Sequence, residues 1–281
     1  MKDLQFPVGI SNFEKIREGG YYYIDKTNLI SELLSGGIAE VTLITRPRRF
    51  GKSLGMSTLA NFLDIRKDSK QMFEGLAISK NTELCKKWMN QCPMVFFSFK
   101  DTDGLTFESA YGMLCMKLAF AFQDYQFLLD DAAISDDDKG IFKRILGRTA
   151  SMDETKSCFL LLTRMLEIHF KKSAVVILDE YDVPIAKASS NRYYSQMLDV
   201  MRAMMSTTFK DNTSLDFAVV TGCLKIAKES IFTGTNNFVS DTILSPRLSE
   251  SFGFTQADVD QMLKDAGLES QSAEIKAWYD G

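Results

Sequence analysis

The densest chemistry in the chain lies in residues 46 to 53, RPRRFGKS. In a loop of the form GxxxxGK[ST], backbone N–H groups point at phosphate oxygens, the lysine reaches the terminal phosphates and the hydroxyl binds magnesium. Gly51, Lys52 and Ser53 supply the second half of that pattern, between Phe50 and Leu54. The first half is different. Arg46 stands where the first glycine belongs and Pro47 follows it, so the opening turn lacks both glycine's access to positive φ and one N–H donor. Arg46, Arg48 and Arg49 add charge suited to phosphate or to an acidic partner. Taken alone, the stretch also reads as a basic surface turn.

A second constellation is VVILDEYD at 175 to 182, an apolar run that delivers adjacent acids at its end. An acid at the carboxyl end of a buried strand is well placed to meet a ligand above a sheet. Asp179 then suits magnesium, directly or through water, and Glu180 suits polarising an attacking water, with Asp182 as a helper. The alternative is a helix N-terminus, where carboxylates are favoured by the dipole. Thr221, in VVTGCLKIA, ends another apolar run where a hydroxyl can reach between the acid and the terminal phosphate, and Lys225 just beyond adds charge. A threonine and glycine at a strand end also make an ordinary turn. Arg202 and Arg247 are candidate arginine fingers by residue type alone. His169, the sole histidine, falls in an apolar helical pattern and reads as structural.

These residues need a scaffold, and the hydrophobic pattern supplies one. VTLIT at 41 to 45, PMVFFSF at 93 to 99, SAVVILD at 173 to 179 and LDFAVVTG at 215 to 222 are apolar runs of buried-strand length, and VSDTIL at 239 to 244 is a weaker fifth. Helical spacing fills 54 to 65, 107 to 128, 139 to 147, 154 to 170 and 192 to 209, so strands alternate with helices as in a parallel α/β sheet. The 93 to 99 run is read as the strand intervening between the loop strand and the acidic pair. The acidic stretch at 130 to 140, DDAAISDDDKG, reads as a solvated loop. Near the C-terminus, Thr255 with Asp258 predicts a capped helix.

Composition bounds the rest. The 281 residues, 45% hydrophobic, suffice for a full core. A net charge of -4 gives no whole-chain attraction to nucleic acid. The five cysteines show no CxxC pair and no zinc set, and they read as buried thiols. With no membrane-length apolar run and no signal-peptide core, the expected location is the cytoplasm. The stop at EIKAWYDG, without a cap or a polar tail, is read as the end of a fragment.

Six stretches together, YYYIDKTNLI at 21 to 30, RPRRFGKSL at 46 to 54, VVILDEYD at 175 to 182, TGCLKIAKESIFTGTNN at 221 to 237, FGFTQADV at 252 to 259 and WYDG at 278 to 281, resemble the bacterial AAA-ATPase-like proteins. RPRRFGKS is that family's habitual loop. The resemblance implies an α/β P-loop NTPase with an AAA-like, parallel five-stranded sheet flanked by helices over residues 1–250, and the start of a helical lid over 251–281. It implies Mg2+-dependent binding of ATP, with Tyr23 and Asp25 near the base, Arg46 to Leu54 around the phosphates, Ser53 and Asp179 on the metal, and Glu180, Lys52 and Thr221 in hydrolysis. Lys225 stands where the family often has arginine. Family members commonly continue into a restriction-nuclease-like domain, through which DNA would be met, and ring ATPases allow a homo-oligomer with a finger from a neighbour. Three functions stay open: turnover as an ATPase, a nucleotide switch or scaffold with little hydrolysis, and, for a longer protein, a nucleic-acid-associated module whose arginine cluster meets phosphate backbones.

Overall fold

Five short apolar runs become the strands of a single parallel sheet in the computed structural model, which describes residues 4–35, 38–223 and 238–279. β1 spans Val41–Thr45, β2 Met94–Ser98, β3 Ala174–Asp179, β4 Leu215–Gly222 and β5 Phe238–Asp241. Their order across the sheet is β2-β3-β4-β1-β5. A parallel sheet is covered on both faces, which is why its strands read as almost unbroken apolar runs. Along β3, Ala174, Val176 and Leu178 enter one core while Val175 and Ile177 enter the other. The first core takes the helices Phe107–Gln123, Asp136–Leu146, Cys158–Phe170 and Tyr194–Phe209. The second takes Asn28–Leu34 and the phosphate-loop helix Lys52–Leu63.

The strand order corrects one expectation. The strand lying between β1 and β3 is β4, and the 93 to 99 run stands on the far side of β3. Sequence order carries no information about such an insertion. Its effect is chemical: Thr45 pairs with Gly222, and Ser98 with Asp179, so the ends of β1, β4, β3 and β2 form one continuous rim.

The acidic stretch is a second correction. Ser135 accepts a hydrogen bond from the Asp138 N–H, and Asp136, Asp137 and Asp138 form the first turn of the helix Asp136–Leu146. Carboxylates there favour the helix because they face its positive end, and Asp138 is buried against Arg164. The 154 to 170 pattern divides into Met152–Lys156, with a capping box between Ser151 and Glu154, and Cys158–Phe170. Phe107–Gln123 stops short of 128, passing into a 3-10 turn at Gln126–Asp130. The phosphate-loop helix stops at Leu63 because Asp64 turns extended and its carboxylate takes the Arg66 N–H, while the Ile65 N–H joins the Cys92 carbonyl leading into β2.

Gly222, at the end of β4, sits where no side chain fits. A Cβ there would lie 2.6 Å from the Tyr181 ring and 2.7 Å from Asp182 Oδ1. Tyr181 is fully buried, so the ring has nowhere to retreat. Gly222→Ala is expected to destabilise the fold by about 1–3 kcal/mol, the usual cost of overpacking. The urea midpoint measures this, and an unchanged midpoint would show that the rim tolerates a methyl group.

Candidate functional site

The loop between β1 and its helix solves the missing-glycine problem by moving the strained position. Positive φ occurs at Arg49 (69°) and Gly51 (77°), three and five residues after Arg46. Gly51 caps the helix in the left-handed conformation without a side-chain hydrogen bond, so the first-turn amides of Lys52, Ser53 and Leu54 remain as donors at the loop. Lys52 is buried, and its Nζ donates to the Arg46 and Pro47 carbonyls, both at 2.9 Å, and to Cys223 Sγ at 3.3 Å. All three partners are uncharged. A buried ammonium so placed favours an anion, and the donor set fits phosphate.

Arg46 faces away from that site. Its guanidinium is buried and donates to the carbonyls of Thr45 (3.0 Å), Asp241 (2.9 Å) and Leu248 (3.2 Å), with the Phe252 ring centroid 5.5 Å away. This corrects the expectation that its charge meets phosphate: the side chain ties β1 to the end of β5 and to the segment beyond. Arg48, Arg49 and Pro47 are exposed on the loop.

Asp179 ends β3, buried, with both carboxylate oxygens occupied. Ser53 Oγ donates to Oδ2 at 2.6 Å, and the Thr221 hydroxyl, at the end of β4, donates to Oδ1. Hydroxyl and carboxylate oxygens are hard ligands of the kind Mg2+ takes, so Ser53 and Asp179 fit a magnesium site. Glu180 follows in a left-handed turn (φ 56°), an uncommon conformation for a residue with a side chain. Burial pushes its carboxyl up, Asp179 adds to the push, and Lys100 and Lys52 pull it back down. Asp182 accepts the Cys223 N–H and lies under Gly222. The sequence reading missed Lys100, although it follows the end of β2 on the same rim; the strand-end argument used for Asp179 would have found it.

Beside the loop helix lies a largely apolar cavity of about 160 Å³. Tyr23, Arg49, Phe50, Gly51 and Leu54 line it from the predicted set, joined by Phe254 of the FGFTQADV stretch and by Phe6, to which no motif pointed. Burial pushes the Tyr23 hydroxyl up to about 12, so it stays protonated at neutral pH. Asp25 does not line this cavity. Its carboxylate accepts from the Thr27 N–H and hydroxyl and from the Ala77 N–H, which fixes the start of the Asn28–Leu34 helix.

Beyond the loop, Thr255 and Asp258 form the expected capping box for the helix Gln256–Ala266. Lys26 binds Asp258 and the Glu250 carbonyl, and Tyr22 donates to Asp265, fastening this helix to the N-terminal segment. Arg247, partly buried, pairs with the buried Asp241 at 3.4 Å. Arg202 is exposed on Tyr194–Phe209. His169 binds Asp131 at 2.8 Å among Phe127 and Phe170, a structural setting. Cys92 and Cys158 are buried thiols, and Cys85, Cys115 and Cys223 are partly exposed. Lys225 and most of the 221 to 237 stretch lie outside the described residues, as does the end of WYDG. Among the described residues, no helix is long and apolar enough to cross a membrane.

A five-stranded parallel sheet of this order, with a lysine loop after β1 and acids after β3, defines an AAA-like P-loop fold. The chain belongs to the family described as predicted AAA-ATPase, whose match covers residues 7–232. A curated relative from Azotobacter chroococcum mcd 1, an uncharacterized protein in the vnfD 5' region, is 29% identical over 283 residues. That match takes in 100% of this chain and 49% of the relative, so the chain spans about half the relative's length. No solved structure matches the chain.

Because Arg46 holds three backbone carbonyls, restoring the glycine of the general motif is expected to harm the protein. Arg46→Gly should lower stability by at least about 1–3 kcal/mol, the cost of stranding buried acceptors. Chemical denaturation checks this, and a variant as stable as the parent would remove the structural role.

Proposed function

We propose that this chain is a Mg2+-dependent ATPase whose nucleotide state is passed to the segment after β5. The observation that carries the reading is the convergence of Lys52, Ser53, Asp179, Glu180 and Thr221 at the carboxyl ends of β1, β3 and β4. Lys52 would exchange its loop carbonyls for the terminal phosphates, which the first-turn amides also face. Ser53 and Asp179 would hold magnesium, with Thr221 fixing the carboxylate between them. Bound magnesium would supply charge neutralisation at the phosphate oxygens. Glu180 would orient the attacking water and take its proton. The base would enter the cavity beside Tyr23, Phe50 and Leu54, with Asp25 supporting its wall from behind.

A second reading, a switch with little turnover, is favoured by the ties between loop and C-terminal segment: Arg46 to Leu248, and the Gly253 N–H to the Phe50 carbonyl at 2.9 Å. In this reading residues 251–281 begin a lid that closes on nucleotide. The greater length of the relative leaves room for the further part of the proposal. A nuclease-like domain would act on DNA under the control of this ATPase in the cytoplasm, and a homo-oligomer would bring Arg202 to a neighbour's site.

Calorimetry with MgATP and a phosphate-release assay test the reading together. Lys52→Ala should abolish binding, and Glu180→Gln should keep binding while slowing release by about 10²-fold or more. Saturable binding without release in the parent would select the switch; binding unaffected by Lys52→Ala would sink both. The pH profile adds a signed expectation. A base whose carboxyl is raised loses activity, as pH falls, at a value above the ordinary 4.5. Since Lys100 pulls Glu180 down, Lys100→Met should move that acid limb higher still.

A further inference from the structure

Two of the aromatic residues that line the cavity beside the loop helix are well exposed. Phe6 is 42% exposed and Phe254 68%, and they come from opposite ends of the described chain. A single exposed ring on a surface needs no explanation, but apolar groups gathered at the opening of a cavity mark a place where a ligand is held. Because both residues are accessible, a molecule entering the cavity meets them directly.

Each of the two follows an anchored residue. The Gln5 carbonyl accepts from the Tyr22 N–H at 2.8 Å, and the Phe6 ring centroid lies 5.4 Å from that of Tyr22. The Gly253 N–H donates to the Phe50 carbonyl at 2.9 Å. Two separate segments are thereby held at one opening, which reduces the ordering cost of using both rings on one ligand.

Size and charge say what that ligand is. At about 160 Å³ the cavity is smaller than the roughly 300–1,000 Å³ that takes a whole small molecule, so it suits one ring system of a larger one. The remainder has the phosphate loop for a neighbour, since Arg49, Phe50, Gly51 and Leu54 belong both to the stretch 46 to 54 and to the cavity wall. Of the two cations on that wall, Lys26 is held by Asp258 and the Glu250 carbonyl. Arg49 is exposed and has no hydrogen bond or ion pair among the described residues. An apolar ring cavity that shares an uncommitted guanidinium with a phosphate loop fits a flat ring joined to an anion.

We infer that Phe6 and Phe254 stack on the nucleobase, so that a bound nucleotide joins the N-terminal segment to the C-terminal one across the cavity opening. This rests on the nucleotide reading above and extends it to two residues outside the phosphate loop and the acidic strand end. Stacking on aromatic side chains is available to every base, because every base has a π-face. The two rings therefore hold the base, while Arg49 and Lys52 are left to the anionic part of the same molecule.

Calorimetry tests this with MgATP and with magnesium tripolyphosphate, which has phosphates and no base. Phe6→Ala and Phe254→Ala should each weaken MgATP at least about five-fold, the lower end of what one aromatic–base stack contributes, and leave tripolyphosphate unchanged. Phe6→Tyr and Phe254→Tyr, which keep the ring, should bind MgATP as the parent does, whereas the leucine variants, which keep only apolar bulk, should fall with the alanine ones. Without nucleotide every variant should melt with the parent; a lower melting temperature in the alanine variants would assign the rings a structural role and overturn the inference. Full MgATP affinity in the leucine variants would overturn it by reducing the rings to apolar cover. Full affinity in either alanine variant, with binding lost in Lys52→Ala, would overturn it while leaving the nucleotide reading standing. Parallel loss of MgATP and tripolyphosphate would overturn it by placing the effect in the loop. Undiminished binding by Lys52→Ala, or no binding by the parent, would overturn both.

Discussion

The guanidinium of Arg46 is the contact on which the architecture around the loop depends. It is a buried charge, pushed down by its burial and partly supported by Asp241, and it spends its donors on three backbone carbonyls. Hydrogen bonds to a charged group are worth about 1.5–3 kcal/mol each, enough to decide how loosely packed segments lie. Here they join the end of β1, the end of the short edge strand β5 and the turn at Leu248. Phe252 packs under the same guanidinium, and Gly253, whose Cβ would crowd the Phe50 ring at 3.1 Å, closes back onto the loop. An arginine in the first-glycine position thus turns a phosphate loop into a junction between the sheet and the C-terminal helical segment.

Across the rim, two neighbouring carboxylates sit in different surroundings. Asp179 is tied by hydroxyls from the loop helix and from β4, so the three elements that bring chemistry to the site are joined through one side chain. Glu180 leaves the strand in a left-handed turn, half-buried, between the cations of Lys100 and Lys52. The divergence of paired acids by environment is how one fold assigns separate roles to similar groups. The turn at Glu180 also drops Tyr181 into the core, where it fills the space that Gly222 leaves open.

Much of this was legible from residue types alone. The strands of a doubly covered sheet announce themselves as apolar runs, and β1 to β4 lie within a residue of where the sequence put them, because burial on both faces leaves little freedom in composition; the edge strand β5, only partly buried, runs over Phe238–Asp241 and not to 244. Gly51, Lys52, Ser53, Asp179 and Thr221 were legible because each stands at a strand end or helix start, where a one-dimensional pattern already fixes position. What the sequence concealed was pairing. Nothing in RPRRFGKS says that its first arginine turns inward, since that depends on carbonyls of Asp241 and Leu248, about two hundred residues away. Nothing in DDAAISDDDKG distinguishes a loop from a capped first turn except Ser135, whose hydroxyl had to be read as a cap. Phe6 and Phe254 meet only in space, at one cavity.

The insertion of β4 between β1 and β3 has a consequence for how the protein is made. A ribosome delivers β1, β2 and β3 before β4, yet the strand that must lie between the first and the third emerges after both. Until Gly222 is available, β1 and β3 each present an unpaired edge to the other's missing neighbour, and such edges invite wrong partners. Asp179 gains the second of its two hydroxyl partners, Thr221, only when β4 has been made. Assembly of the site is a late event in synthesis, and the strand that carries Thr221 also completes the sheet that holds the other groups in place.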